Sequence, residues 1–288
     1  MAVEKNETGE NLVLTLSCPD QPGIVHAVSE LIVSNDGNII QSQQFGDPDT
    51  GLFFMRVELE SPNGRGPIVD GMENFAKKFD ATWNVDKMGR ALRTIIMVSK
   101  EGHCLTDLLY RQRYADLPIE VVAVVGNHPD LAPVAQFYGK PFLCIPVTKE
   151  TKKEAETELL NLVRAEKVEL VVLARYMQIL SKELTEELAG SIINIHHSFL
   201  PSFKGARPYA QAHDRGVKLI GATAHYVTED LDEGPIIEQD VTRVTHRDST
   251  RDLVSEGQDV ERRVLAQAVK WHSEHRVLLN GTRTVVFN

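Results

Sequence analysis

Hydrophobic positions follow two different rhythms along this chain, and the change between them falls near residue 88. Residues 11–16 are a short run rich in Leu, Val and Thr, broken by Cys18-Pro19-Asp20-Gln21-Pro22-Gly23. Beyond the break, Ile24, Val28, Leu31 and Ile32 recur at spacings of three and four, the period of an amphipathic helix. Asn35-Asp36-Gly37-Asn38 supplies the stop. Residues 39–45 and 52–59 flank the turn Asp47-Pro48-Asp49-Thr50-Gly51 and read as a hairpin. A helix ending near residue 79 and a strand at 82–86 complete the set. The order strand, helix, strand, strand, helix, strand is a ferredoxin-like βαββαβ unit, expected to occupy residues 1–88.

From 89 to 288 the alternation disappears. Residues 93–99, 119–125 and 169–173 are β-branched runs, as strands buried on both faces of a parallel sheet should be. Helical stretches at 105–113, 131–137 and 152–166 separate them. Further strands are expected at 192–195, 220–227 and 236–241, and a long helix at 251–272. This is the α/β pattern of a doubly wound, Rossmann-like sheet. Such sheets gather ligands at the carboxyl ends of their strands, which directs attention to the residues just after 173, 195 and 227.

Composition narrows the picture. A length of 288 residues suits two domains, and 42% hydrophobic with 25% charged residues is ordinary for a soluble protein. The net charge of −10 argues against a nucleic-acid partner. The 3 cysteines, Cys18, Cys104 and Cys144, form no C-x-x-C pair, so a disulfide framework or zinc knuckle is not expected. Met1 to Glu7 lacks the basic and apolar regions of a signal peptide, and no apolar run approaches the ~20 residues of a membrane span. A cytoplasmic protein that engages neither membrane nor nucleic acid is expected.

Candidate chemistry clusters late in the chain. Asn194-Ile195-His196-His197 ends one strand, and His225-Tyr226-Val227 followed by Leu231-Asp232-Glu233-Gly234-Pro235 ends another. An amide, an imidazole and a carboxylate are the parts needed to attack a carbonyl. The first two can hold an oxyanion, and the carboxylate can polarise the imidazole and accept a proton. Singly, Asn194 also suits a turn and Asp232 a loop cap. Adjacent histidines on extended chain point to opposite faces, so only one of His196 and His197 should face the site.

Asn-x-His, a nearby Leu200-Pro201 and the later Leu-Asp-x-Gly-Pro resemble the signature of enzymes that move the formyl group of 10-formyltetrahydrofolate. The wider spelling from Asn194 to Pro201 resembles the formyltetrahydrofolate deformylase branch. So do Gly205-Ala206-Arg207-Pro208-Tyr209, the stretch from His103 to Leu109, and Ala174-Arg175-Tyr176-Met177-Gln178-Ile179-Leu180. The resemblance implies an N-terminal ACT domain followed by a formyltransferase-type catalytic domain. It implies hydrolysis of the folate to formate and tetrahydrofolate, feeding one-carbon and purine metabolism. No cofactor and no metal are implied. Asn194, His196 and Asp232 would be catalytic. Met177, Gln178, Ile179 and Leu180 would line the pterin pocket, with His225 near the site, although a buried strand position also explains His225. Arg175, Lys204 and Arg207 are candidates for the folate tail. Asp20, Gly23, Asn35 and Asn38 would hold an amino-acid effector in a homo-oligomer, the Asp20 turn facing Asn35 and Asn38 across the helix.

Transfer to an amine acceptor uses the same trio and is the alternative. The loop Ser99-Lys100-Glu101-Gly102-His103-Cys104, with one glycine and an acid, is poorly suited to cradling an acceptor phosphate. A zinc amidohydrolase built on His196, His197, His225 and Asp232 matches no metal-ligand spacing.

Overall fold

The computed structural model describes residues 9–114, 117–198 and 208–288. The chain packs as two compact units, Met1–Arg90 with Glu274–Asn288, and Ala91–Ser273.

The first unit runs β1 (Glu10–Pro19), α1 (Ile24–Ser34), β2 (Asn38–Asp47), β3 (Leu52–Ser61), α2 (Arg65–Phe79) and β4 (Thr82–Lys87). Its antiparallel sheet has the order β2-β3-β1-β4. Alternation decides which residues meet. Leu12, Leu14 and Leu16 of β1 and Met55, Val57 and Leu59 of β3 turn to one face. There they bury against Ile24, Val28 and Ile32 of α1 and Met72, Phe75 and Phe79 of α2.

The opposite face is buried at β3 as well, and includes a charge: Arg56 is 3% exposed. Its Nη1 donates to Glu58 at 2.7 Å, its Nη2 to the Glu274 carbonyl at 2.9 Å, and its Nε to the His275 carbonyl at 3.1 Å. The chain beyond Ser273 thus returns to this unit. It forms the hairpin β12 (Val277–Asn280) and β13 (Arg283–Val286), where Asn280 donates to Asp47 at 2.6 Å. The sequence reading had kept these last residues with the catalytic part. The cue to a hairpin was present, since Gly281, at φ 62°, sits in the turn between two short apolar runs.

The effector candidates do not converge within one chain. Asp20 and Gly23 precede α1, whereas Asn35 and Asn38 follow it, separated by an 11-residue helix. At 1.5 Å per residue that is about 16 Å. Asn35 is engaged in ending the helix, its side chain donating to the Leu31 carbonyl at 2.8 Å.

The second unit runs β5 (Leu92–Val98), α3 (His103–Tyr114), β6 (Ile119–Gly126), α4 (Ala132–Phe137), β7 (Phe142–Cys144), α5 (Lys152–Ala165), β8 (Leu170–Leu173), α6 (Lys182–Glu187), β9 (Ile192–His196), α7 (Pro208–Arg215), β10 (Leu219–Tyr226), β11 (Ile236–Arg243) and α8 (Thr250–Ser273). Its sheet order is β11-β10-β9-β8-β5-β6-β7, parallel from β9 through β7 and antiparallel at β10 and β11. Residues 95–98 of β5 and the whole of β8 read as continuous apolar runs because both faces are buried. From β5 the chain winds one way through β6 and β7, then the other way through β8 and β9. The carboxyl ends of β5, β8 and β9 therefore lie side by side at a topological switch point. The short elements β7, α6 and α7 carry too few residues for a period, and the sequence reading did not separate them. Among the described residues no helix is long and apolar enough to cross a membrane.

Replacing Arg56 by Met strands the Glu58 carboxylate and two carbonyls. Arg56→Met should cost about 3 kcal/mol and expose the chain after Ser273 to limited proteolysis. A variant as stable and as protease-resistant as the parent would contradict the clamp.

Candidate active site

Strand register assembles the site. Asn194 and His196 are two apart on β9, so they share a face, while Ile193 and Ile195 turn to the other and are buried. The antiparallel pairing of β9 with β10 sets His225 directly opposite Asn194 and Thr223 opposite His196. The His225 side chain is 2% exposed. Its Nδ1 lies 2.9 Å from the Tyr226 carbonyl, which can only accept, so Nδ1 carries a hydrogen. Nε2 then offers its lone pair to the Asn194 amide, 3.2 Å away. That bond uses one hydrogen of Nδ2 and fixes the plane of the amide, leaving its second hydrogen for another acceptor.

The loop between β10 and β11 delivers the carboxylate. Tyr226 N–H donates to the Pro235 carbonyl at 2.9 Å, which folds the loop back on the strand. A Cβ on Gly234 would fall 1.8 Å from the Tyr226 carbonyl oxygen, so only glycine allows this approach. Asp232, at φ 57°, then directs Oδ2 to His196 Nδ1 at 3.2 Å and Oδ1 to His225 Nε2 at 3.7 Å. Burial raises the Asp232 pKa, but the hydrogen bond from His196, with the second imidazole of His225 close by, outweighs it and holds the carboxyl well below the usual carboxylate range.

His197 does not turn away from its neighbour. β9 ends at His196, and the bend that follows stacks the two rings, with centroids 5.1 Å apart and planes at 24°. The alternation argument fails because His197 has left the strand. Arg175 Nη1 donates to His197 Nδ1 at 2.5 Å. Burial, the Arg175 charge and His196 together press the His197 pKa down to about 4.

Arg175 requires a correction. Read from the sequence as a contact for the folate tail, it is 9% exposed and faces inward. Its Nε lies 3.2 Å from Glu101 and 3.4 Å from Glu261, so its charge is already matched by two carboxylates. Lys204 and Arg207, the other tail candidates, lie outside the described residues. In the segment after β8, Met177 N–H donates to Ser99 Oγ at 2.9 Å, tying β8 to β5 across the switch point. Gln178, Ile179 and Leu180 line a small open pocket together with Met97, Val125, Ile145 and Tyr176.

Glu261 is the group the sequence reading missed. It lies on α8, at 0% exposure. It accepts from Tyr209 Oη at 2.6 Å and pairs with His103 Nε2 at 2.8 Å. A Cβ on Gly257 would meet the Tyr209 hydroxyl at 2.1 Å, so glycine there lets the tyrosine cross the helix. The signal was an acid among the core positions Leu253, Val260, Val264, Leu265 and Ala268. Of the described residues, His103, Cys104 and Glu261 bring possible metal ligands within 4.8 Å of one another. The fit is poor, since the Arg175 guanidinium already sits against Glu261 and burial pushes the Cys104 thiol well above its ordinary pKa.

This constellation, at the strand ends of a doubly wound sheet, is a site of the formyl transferase class, and residues 92–269 match that family. A Synechocystis protein named formyltetrahydrofolate deformylase is 49% identical over 96% of this chain and 99% of its own length. Its namesake from Bacillus subtilis is 46% identical over 96% and 93%. The crystal structure of formyltetrahydrofolate deformylase from Burkholderia mallei superposes with a TM-score of 0.94 at 48% identity, covering 97% of this chain and 100% of that one. A glycinamide ribonucleotide transformylase from Symbiobacterium toebii reaches 0.65 at 28% identity over 71% of this chain and 98% of its own. The chain therefore belongs to the formyltetrahydrofolate deformylase family.

The depressed His197 pKa has a measurable sign. Between pH 6.5 and about 4 the unfolded chain binds a proton that the folded chain refuses. The contribution is whole above the unfolded value and is lost as pH falls through the folded one. Going from about pH 7 to about pH 4, denaturant unfolding should show the parent losing up to about 3 kcal/mol relative to His197→Asn. Equal pH dependence in both proteins would contradict a neutral His197.

Proposed function

We propose that this protein hydrolyses 10-formyltetrahydrofolate to formate and tetrahydrofolate in the cytoplasm, with Asn194, His196 and Asp232 acting on the formyl carbon. The observation that carries this reading is the shared carboxylate: Asp232 reaches His196 at 3.2 Å while Asn194 is oriented from the side by His225. Water adds to the formyl carbon, and the carbonyl oxygen becomes an oxyanion. The remaining Asn194 N–H and the His196 ring stabilise that charge. Asp232 accepts the proton of the attacking water. A carboxylate held so far below its usual range is a weak base, so this proton passes on within the turnover. It goes to N10 as the C–N bond breaks, leaving the free amine and formic acid, which loses its hydroxyl proton to solvent as formate. The segment Met177, Gln178, Ile179 and Leu180 would read the edge of the pterin, with Ile179 and Leu180 as apolar wall.

Water rather than an amine is the acceptor in this reading. Glu101, with a side chain 49% exposed, stands on the loop after β5 beside His103 and Arg175, and a phosphorylated acceptor would meet that negative charge. The ferredoxin-like unit would serve as an ACT-type regulatory module in a homo-oligomer, binding a small amino acid. Because Asp20 and Gly23 lie at the far end of α1 from Asn35 and Asn38, a site using both sets would draw them from two subunits.

The purified protein given 10-formyltetrahydrofolate alone should release formate, and prolonged chelation should leave turnover intact. Asn194→Ala should lower kcat by roughly 100- to 1,000-fold with little change in KM. Formate appearing only after an amine is supplied would make the enzyme a transferase. Activity lost on chelation and restored by zinc would sink the metal-free mechanism.

A further inference from the structure

Behind the trio runs a chain of buried polar side chains for which the proposed chemistry has no use. Glu261 stands at its far end, bonded to Tyr209 and His103 and 3.4 Å from Arg175 Nε. Arg175 is the middle link, its Nη1 2.5 Å from His197 Nδ1. His197 is the near end, stacked on His196 at 5.1 Å. A guanidinium only donates, so His197 Nδ1 must offer a lone pair, and the hydrogen of the neutral ring sits on Nε2. His197 therefore cannot use Nδ1 as a base, and its free edge is a donor.

Resting on the function proposed above, we propose that Arg175, anchored by Glu261, is a positioning residue for the hydrolysis. It fixes His197 as the neutral Nε2–H tautomer against His196, so that positive charge in this pair of rings falls on the ring facing Asp232. Two imidazolium rings stacked at this distance would repel each other and divide the attraction of one carboxylate. The groups around His197 are consistent with this division. Arg175 after β8 and His196 before it disfavour its charged form, against Glu261 from α8 and Asp232 from the loop after β10, while Tyr209 of α7 packs 6.4 Å from its ring. Arginine suits the position because one planar fork serves the carboxylates through Nε and the imidazole through Nη1. Lysine, a single point charge, cannot do both. The backbone at Arg175 has φ 64°, a left-handed conformation that a long side chain holds only where its surroundings dictate it.

The test pairs a titration with kinetics on the full chain. Nitrogen-15 histidine NMR follows His197, and formate release against pH follows catalysis. Arg175→Lys keeps a charge beside Glu261 but loses the fork. Its His197 midpoint should rise above about 4, while the part of the depression set by burial stays in place. The acid limb of kcat should move up with it, and kcat should fall roughly ten- to hundredfold with KM little changed. Arg175→Met combined with Glu261→Gln removes both charges at once, leaves no lone buried carboxylate, and should show the same rise. A His197 midpoint that stays put in folded variants overturns the proposal. So does a midpoint that moves while the pH profile and kcat do not. A parent protein that releases no formate fails the functional reading itself, and the titration, which needs no substrate, still reports the tautomer separately.

Discussion

One carboxylate sits between two imidazoles, and the rest of the site follows from that. Asp232 lies 3.2 Å from His196 and 3.7 Å from His225, whose strands are antiparallel neighbours. Two imidazoles can face one loop residue only if β9 and β10 hold their register. A slip of one residue would turn Asn194 and His196 to the opposite face together. The loop must also return close enough to the strand, which is why Gly234 lies against the Tyr226 carbonyl. The same carbonyl takes the Nδ1 hydrogen of His225, and that choice of tautomer decides which way Asn194 presents its amide. Sheet register, a close backbone approach and one histidine tautomer thus feed a single geometry.

Charges buried without water need a partner for every lone pair and hydrogen, and both units of this chain meet that demand. Glu261 is fully buried, a position that costs several kcal/mol for an uncompensated ion. Tyr209, His103 and Arg175 supply the compensation from α7, the start of α3 and the end of β8. In the ferredoxin-like unit Arg56 plays the converse part, a buried cation shared between Glu58 and two carbonyls of the returning chain. In each case one buried charge ties together segments far apart in sequence.

Much of this was legible in the sequence, and the exceptions have separate physical causes. Apolar runs without alternation gave the central strands β5, β6 and β8, and the spacing of Ile24, Val28 and Ile32 gave α1, because these patterns follow directly from burial on one face or two. Asn194, His196 and Asp232 could be named because motif resemblance marked them, not because any one of them is diagnostic. Arg175 was misread because a sequence carries charge but not the direction of a side chain. Glu261 went unnoticed although an acid at a helix core position is a legible anomaly. His197 was placed on the wrong face because the chain bends after His196 instead of staying extended. Arg175 and Glu261 lie where a buried charge meets partners distant in sequence, and no local pattern encodes those partners.

The central claim is that Asn194 and Asp232 act on the same step, one oriented through His225 and the other through His196. A double-mutant cycle on formate release tests this most directly. Asn194→Ala and Asp232→Asn should each lower kcat, the second by on the order of 100- to 10,000-fold, and the double variant should be little worse than the poorer single one. Losses that simply multiply would show two groups acting independently and would contradict the shared site described above.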